Sequence, residues 1–373
     1  MQGSPPGSFH TVSRSAAALW FLGAALLILT GWALGAMAPV AIPVVFAILI
    51  TLLVAPLDNR LKSILPDALG WIAHLAVMVF ILAILFLFGG ALVFAAQQAL
   101  DAIPNVSSQL NALMPGRSSN GDGVETQLVQ DLREVWGNFG GMFGGWIVDQ
   151  ATSIATAAVG ITGSFFSTLL IVFFIVLLAL TELTQWRGKM HGLLGGADET
   201  AWQATLTSLT ARLRRFLVVR TFVGILQAAL YVGWLAIFGI DLLVVWAILA
   251  FVLTYIPSLG SVISGVLPVL YAFVVADPMT ALAVAGGIFV IEQVVGNFID
   301  PQLLGKQIVL SPMVILVSLL FWAWLWGIAG AFLATPITLC LLVVMHRIPP
   351  LRPLALFLSN QESLENLDEA LRS

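Results

Sequence analysis

Four polar side chains crowd the end of an otherwise apolar run. Met279 to Phe298 is almost wholly hydrophobic, yet it carries Glu292, Gln293 and Asn297, and Asp300 follows at once. On a helix, Glu292, Gly296 and Asp300 fall at i, i+4, i+8, while Gln293 and Asn297 fall at i, i+4 on the adjoining stripe. A polar sector therefore runs along one side of an apolar rod. A carboxylate in lipid costs a contested ~2.5 to over 10 kcal/mol and usually marks a site. Two chemistries suit the stripe. In one it is a polar path, with Glu292 taking up and releasing a proton. In the other it hydrogen-bonds a neighbouring broken helix, with Asp300 a boundary residue paired to Lys306. The first suits Glu292 better and the second suits Asp300 better.

The elements that must position this stripe are interrupted. Downstream come Pro301, Gly305, Ser311-Pro312, Gly327-Ile328-Ala329-Gly330 and Pro336; upstream come Tyr255, Pro257-Ser258-Leu259-Gly260 and Pro268. Irregular backbone at membrane depth survives only where it is buried in protein or lines a cavity. Segments 241–275 and 308–345 each exceed one ordinary span. They share a layout: an aromatic apolar run, a break containing Gly, then a proline. Both are expected to be broken or re-entrant, and charge parity does not separate hairpins from long crossings. The shared layout is either a degenerate transporter-type repeat or a chance likeness of two breaks. The hydroxyls of Thr254, Tyr255, Ser258, Ser261 and Ser264 either satisfy freed backbone groups or line a solute path, and the roles are compatible.

Composition sets the class. The chain is 60% hydrophobic and 9% charged, against about 45–50% and 25% in soluble domains. An all-α polytopic membrane protein follows. Apolar runs fall at 16–36, 38–56, 70–96, 151–181, 217–239, 241–275, 279–299 and 308–345. The first reads as a retained helix rather than a signal peptide. Only Met37-Ala38-Pro39 separates it from the second, which predicts a tight helical hairpin. Residues 1–96 thus form three N-terminal helices, 97–150 an acidic insert, and 217–345 a C-terminal transport core. Segment 182–216 holds Arg187, Lys189, Arg212, Arg214 and Arg215. With Arg60, Lys62, Arg347, Arg352 and Arg372, the positive-inside rule puts both termini, 182–216 and the tail 346–373 in the cytoplasm, and 97–150 outside. Trp202, Leu206, Leu209, Leu213 and Phe216 recur at helical spacing, so this segment is amphipathic. It is expected to lie on the inner membrane surface; a gate or coupling element is the alternative.

Enzyme signals are absent. His10, His74, His191 and His346 are scattered, and no zinc-protease, nucleophile-elbow, phosphate-loop or dinucleotide motif occurs. No catalytic residue, metal site, cofactor or nucleic-acid surface is expected. Cys340 is the single cysteine and excludes an intrachain disulfide. Gln227 reads as interhelical glue, and Trp322, Trp324 and Trp326 as interface anchors.

The string Tyr255-Ile-Pro-Ser-Leu-Gly260 with Pro268 resembles one signature of the autoinducer-2 exporter family, the PerM-like permeases. Glu292-Gln293-Val-Val-Gly-Asn297-Phe-Ile-Asp300-Pro301, Leu304-Gly305-Lys306, Leu310-Ser311-Pro312, Gly327-Ile-Ala-Gly330 and Pro336 resemble another. The resemblance implies a bacterial inner-membrane permease of about seven or eight transmembrane helices, forming a homo-oligomer with a pentamer as one expected form. It implies export of a small polar solute such as autoinducer-2 by a secondary transporter or facilitator; ion coupling through Glu292 is expected, with a sodium/proton antiporter as the alternative. A non-transporting membrane scaffold is the second alternative. Glu292, Gln293, Asn297 and Asp300 are the candidate coupling residues. Tyr255, Pro257, Ser258, Gly260, Pro268, Pro301, Pro312, Gly327, Gly330 and Pro336 are the candidate pathway and break positions.

Overall fold

The computed structural model describes residues 23, 25–26, 29–64, 66, 70–113, 167–182, 185, 197–257, 259–304 and 309–372. Most of the expected first span, the insert beyond 113, Arg187, Lys189, Ser258, Gly305 and Lys306 lie outside these residues. The described chain is helical, apart from one isolated bridge between Leu310 and Ser359. In order, the helices are α1 (Ala38–Ile64), α2 (Gly70–Leu113), α3 (Ser167–Glu182), α4 (Ala197–Ile237), α5 (Leu243–Leu253), α6 (Leu259–Val275) and α7 (Pro278–Val294). A π-helical turn (Val295–Ile299) leads into α8 (Asp300–Leu304). Then come α9 (Pro312–Arg347), α10 (Arg352–Leu358) and α11 (Leu364–Arg372).

Five stretches among the described residues are long and apolar enough to cross a bilayer: Ala38–Ile64, Leu75–Ala102, Gln203–Ile237, Pro278–Leu303 and Pro312–Arg347. Large apolar side chains such as Leu87, Phe289 and Trp324 point outward, as lipid-facing helices require.

The two long interrupted segments are hairpins. A Cβ on Gly260 would lie 1.8 Å from the Leu253 carbonyl oxygen, and one on Gly330 would lie 1.8 Å from that of Trp322. In a straight helix those partners would be roughly 10–12 Å apart along the axis. The chain therefore doubles back at each break, and only glycine fits the close approach. Gly327 carries the second reversal, with φ 62° and ψ −143° inside α9.

The hairpins enter from opposite ends of α4. The mouth of α5–α6 follows α4's last turn directly, through Phe238 to Leu242. The mouth of the α9 hairpin lies at α4's first turns, where Arg347 Nε donates to Thr205 Oγ1 at 2.5 Å. Deep in the bundle the two meet. Ile256 packs with Leu319, Trp322, Ala331 and Ala334, and the rings of Tyr255 and Phe332 stack at 4.2 Å.

Several expectations need correction. The amphipathic stretch does not form a separate in-plane helix. It is the first half of α4, continuous with the next span for about 60 Å. Its apolar face is covered by protein: Leu213, Phe216 and Leu217 share a core with Val343, Ala355 and Leu367. Arg212 donates to the Ala370 carbonyl at 2.5 Å, tying α11 to this face. The third helix does not stop at 96 but runs on to Leu113. Pro268 and Pro336 are not break points, since α6 and α9 continue through both. Each removes one backbone donor, which a packed membrane helix tolerates. Pro312 occupies the first turn of α9, where a missing N–H costs nothing. Pro301 likewise sits in the first turn of α8, after the π turn.

Candidate functional site

Glu292 occupies the last turn of α7, and α4 and the α5–α6 hairpin supply its partners. Gln227 Nε2 donates to Glu292 Oε1 at 2.6 Å, Ser264 Oγ donates at 3.1 Å, and the Tyr231 hydroxyl donates to the same oxygen. Gln227 and Tyr231 lie one turn apart on α4, so one helix face presents both. Thr254 Oγ1 in turn reaches Gln227 Oε1 at 3.0 Å, which orients the amide. Three donors thus converge on Oε1, while Oε2 accepts from none of the described residues. An oxygen held by three donors is fixed in place, and its geminal partner stays available to a proton or a solute.

That available oxygen faces a cavity of about 690 Å³, within the ~300–1,000 Å³ typical of small-molecule sites. Its walls are α4, the tip and flank of α5–α6, and α7 with its π turn. Gln227, Thr254, Pro257, Ser261, Gln293 and Asn297 line it, together with Arg220 and Asp300. Arg220 Nη1 donates to both Asp300 carboxylate oxygens at 3.1 Å. The Arg220 side chain is only 8% exposed, its Nε has no partner among the described residues, and its guanidinium lies over the Phe216 ring. Among the described residues the cavity therefore holds two carboxylates and one guanidinium.

The expected site residues fall into three groups. Glu292 and Asp300 line the cavity, with Asp300 paired to Arg220. Gln293 and Asn297 hydrogen-bond each other across the π turn, line the cavity's edge and are exposed on the bundle's outer side. The π turn adds a residue to the helical register just after Glu292 and Gln293, before Asp300. Tyr255 is buried at the hairpin contact, and its hydroxyl lies 2.6 Å from Thr221 Oγ1; Pro257 turns the chain at the cavity wall. Gly260, Gly327 and Gly330 shape the hairpins, while Pro268, Pro301, Pro312 and Pro336 touch neither carboxylate's hydrogen bonds.

Sequence reasoning missed Tyr231 and Arg220. Arg220 was open to the argument applied to Glu292, being a charge inside a predicted span. Tyr231 had a weaker signal, lying four residues after Gln227 on one helix face.

Comparison with known proteins agrees with this architecture. The profile of the family described as AI-2E family transporter matches residues 17–349. TqsA, the AI-2 transport protein of Escherichia coli K12, is 30% identical over 211 residues, 56% of this chain and 59% of TqsA. A chain of Borreliella burgdorferi named as a candidate transport protein is 27% identical over 246 residues, 65% of this chain and 64% of its own. A similarly named Mycobacterium tuberculosis protein, MT0215, is 25% identical over 324 residues, 82% of each chain. The matched part is under two thirds of the Borreliella and Escherichia proteins' own lengths.

Proposed function

The chain belongs to the AI-2E transporter family, and from that premise we propose that it exports a small polar solute across the bacterial inner membrane. Glu292 is the coupling carboxylate. The observation that carries this reading is its half-engaged state: Oε1 is fixed by Gln227, Tyr231 and Ser264, and Oε2 is left to a cavity of about 690 Å³. A proton arriving at Oε2 removes the charge without dismantling the donors on Oε1. The cavity's mixed lining of Gln, Thr, Ser and Asn with aliphatic side chains suits a solute with several hydroxyl or carbonyl groups. The solute named for TqsA, AI-2, is the first candidate.

The opposed hairpins supply the alternating barrier. Each closes the pathway from one end of α4, and they meet at Tyr255 and Phe332. The basic end of α4, with Arg212, Arg214 and Arg215, is cytoplasmic together with the C-terminal tail. Gln293 and Asn297, exposed on the outer side of α7, are covered by a second copy in a homo-oligomer, because their mutual hydrogen bond leaves further amide N–H and C=O groups to satisfy in lipid.

The test is AI-2 efflux from proteoliposomes under an imposed pH gradient. Gradient-driven efflux that disappears in Glu292→Gln supports the reading, and efflux unchanged in that variant sinks the coupling role. One observation favours a second reading. With Arg220 paired to Asp300, the Glu292 carboxylate is left without a cationic partner among the described residues, which suits exchange of a monovalent cation for a proton. Sodium-driven proton flux in the absence of organic solute would select it.

A further inference from the structure

A second polar cavity, of about 670 Å³, opens at the opposite end of the bundle and shares no lining residue with the first. Gln98 and Asp101 of α2, Phe238 and Asp241 at the α4–α5 turn, Tyr271 of α6 and Asp277 before α7 form its wall. Among the described residues it holds three carboxylates, and no Lys, Arg or His lines it. Asp277 is partly engaged: its Oδ1 accepts from the backbone N–H groups of Met279 at 3.0 Å and Thr280 at 3.1 Å, capping α7. Asp101 and Asp241 are exposed to the cavity.

Two further groups here lack partners. Tyr271 is only 7% exposed, its ring is backed by Trp246 at 5.5 Å, and its hydroxyl makes no hydrogen bond among the described residues. The Gln98 Oε1 atom is buried and accepts from none of them either. The Gln98 oxygen is closed off inside the wall, whereas the Tyr271 hydroxyl opens on the cavity and offers a hydrogen bond to whatever occupies it. The three carboxylates around that hydroxyl favour an occupant with hydrogen-bond donors and positive charge.

A chelated metal does not match this arrangement. Among the described residues no group of three His, Cys, Asp or Glu is set closely enough to hold a metal ion. The carboxylates come from separate elements around a space far larger than one ion, and Phe238 and Tyr271 add aromatic surface, which attracts organic cations. Spaced carboxylates around an aromatic-lined void match a molecule with spaced ammonium groups.

We propose that this cavity binds a small aliphatic di- or polyammonium cation, with Asp101 and Asp241 pairing its charges and the Tyr271 hydroxyl taking up one of its N–H groups. The assignment is independent of the transport reading.

The test is isothermal titration of the full-length protein in zwitterionic nanodiscs at constant ionic strength. Spermidine and putrescine are the probes, with MgCl₂ and NaCl for comparison. Saturable spermidine binding, weaker putrescine binding and no saturable Mg²⁺ or Na⁺ binding are expected. Asp101→Asn with Asp241→Asn should weaken spermidine by about tenfold, and Tyr271→Phe by about threefold, typical of partly exposed pairs and single hydrogen bonds. If the double variant unfolds, Asp101→Asn alone should weaken binding by about threefold. Absent spermidine binding, equal binding of Mg²⁺, or unchanged affinity in the carboxylate variants overturns the assignment.

Discussion

Tyr231 on α4 donates its hydroxyl to Oε1 of Glu292 on α7, joining two helices whose residues lie 61 positions apart in sequence. Tyr231 is fully buried, so its hydroxyl has no water to fall back on. This bond and its neighbours set where the carboxylate points.

Removing the charge and removing the donor should therefore have different effects. Glu292→Gln keeps the side chain's size and an acceptor for the three donors but cannot carry a proton. Gradient-driven flux should fall by about tenfold or more. Tyr231→Phe keeps the charge and loses one hydrogen bond, worth about 0.5–1.5 kcal/mol, so flux should fall by roughly two- to tenfold. Initial rates of proton and solute flux from one proteoliposome preparation check both. Equal loss in the two variants would contradict a proton-carrying role confined to Glu292.

Arg220 and Asp300 should behave as a unit. Their side chains are 8% and 20% exposed. Arg220→Met strands the Asp300 carboxylate and should destabilise the protein by about 3 kcal/mol, near the low end for buried pairs because Asp300 still reaches the cavity. Adding Asp300→Leu should recover most of that loss, since an apolar pair of similar size leaves no unpaired charge. Denaturant unfolding of both single variants and the double variant in detergent measures the coupling, and simple additivity would refute it.

The glycines of the second hairpin rank by what surrounds them. Gly327 holds φ 62° and ψ −143°, a conformation essentially reserved for glycine, so Gly327→Ala should cost about 1–3 kcal/mol. Gly330→Ala should be worse. Its Cβ would stand 1.8 Å from the Trp322 carbonyl oxygen, and backbone cannot swing aside as a flexible side chain can. Folded yield and melting temperature give the order, and a Gly330→Ala protein as stable as the parent would rule out the tight reversal.

The C-terminal tail should loosen in acid. Asp368 on α11 receives Arg352 Nη2 at 2.8 Å and His346 Nε2 at 2.6 Å. Burial pushes its carboxyl up, but Arg352 and then His346 outweigh this and hold it below the usual carboxylate range. A carboxylate with a depressed folded-state pKa adds stability above its ordinary pKa, and that stability fades as pH falls through the depressed value. Hydrogen exchange over 349–372 should therefore quicken below about pH 4. In Asp368→Asn the tail should exchange faster at neutral pH and lose this acid response. A tail whose exchange is flat across the range in the parent protein would refute the linkage.

Local signals made the hairpins legible. Gly260, Gly327 and Gly330 sit in apolar segments too long for one crossing, and backbone conformation is a local property. Glu292 was legible for a similar reason, because its cost in lipid depends on its own charge. Its partners were not, because Gln227 and Tyr231 meet it only after α4 packs against α7, across 65 and 61 residues of chain. The pairing of Asp300 with Arg220, 80 residues away, was hidden in the same way. The first half of α4 shows the limit of periodicity. Leu209, Leu213 and Phe216 mark an apolar face, but nothing local says whether lipid or protein will cover it. The cover is α9, α10 and α11, reached through contacts such as the one that spans 158 residues from Arg212 to Ala370.

The reversal at Gly330 also constrains how the protein is made. By apolar length alone, Pro312–Arg347 qualifies as a single crossing. An insertion machinery that sorts segments by hydrophobicity would leave it threaded, stranding Arg347 and everything after it on the wrong side. The fit of Gly330 against Trp322 lets the nascent segment close into a hairpin, and the Leu310–Ser359 bridge ties the residues before α9 to the end of α10. Damage to that turn would therefore appear first in biogenesis, as a population of inverted C-termini, before any defect in the assembled molecule.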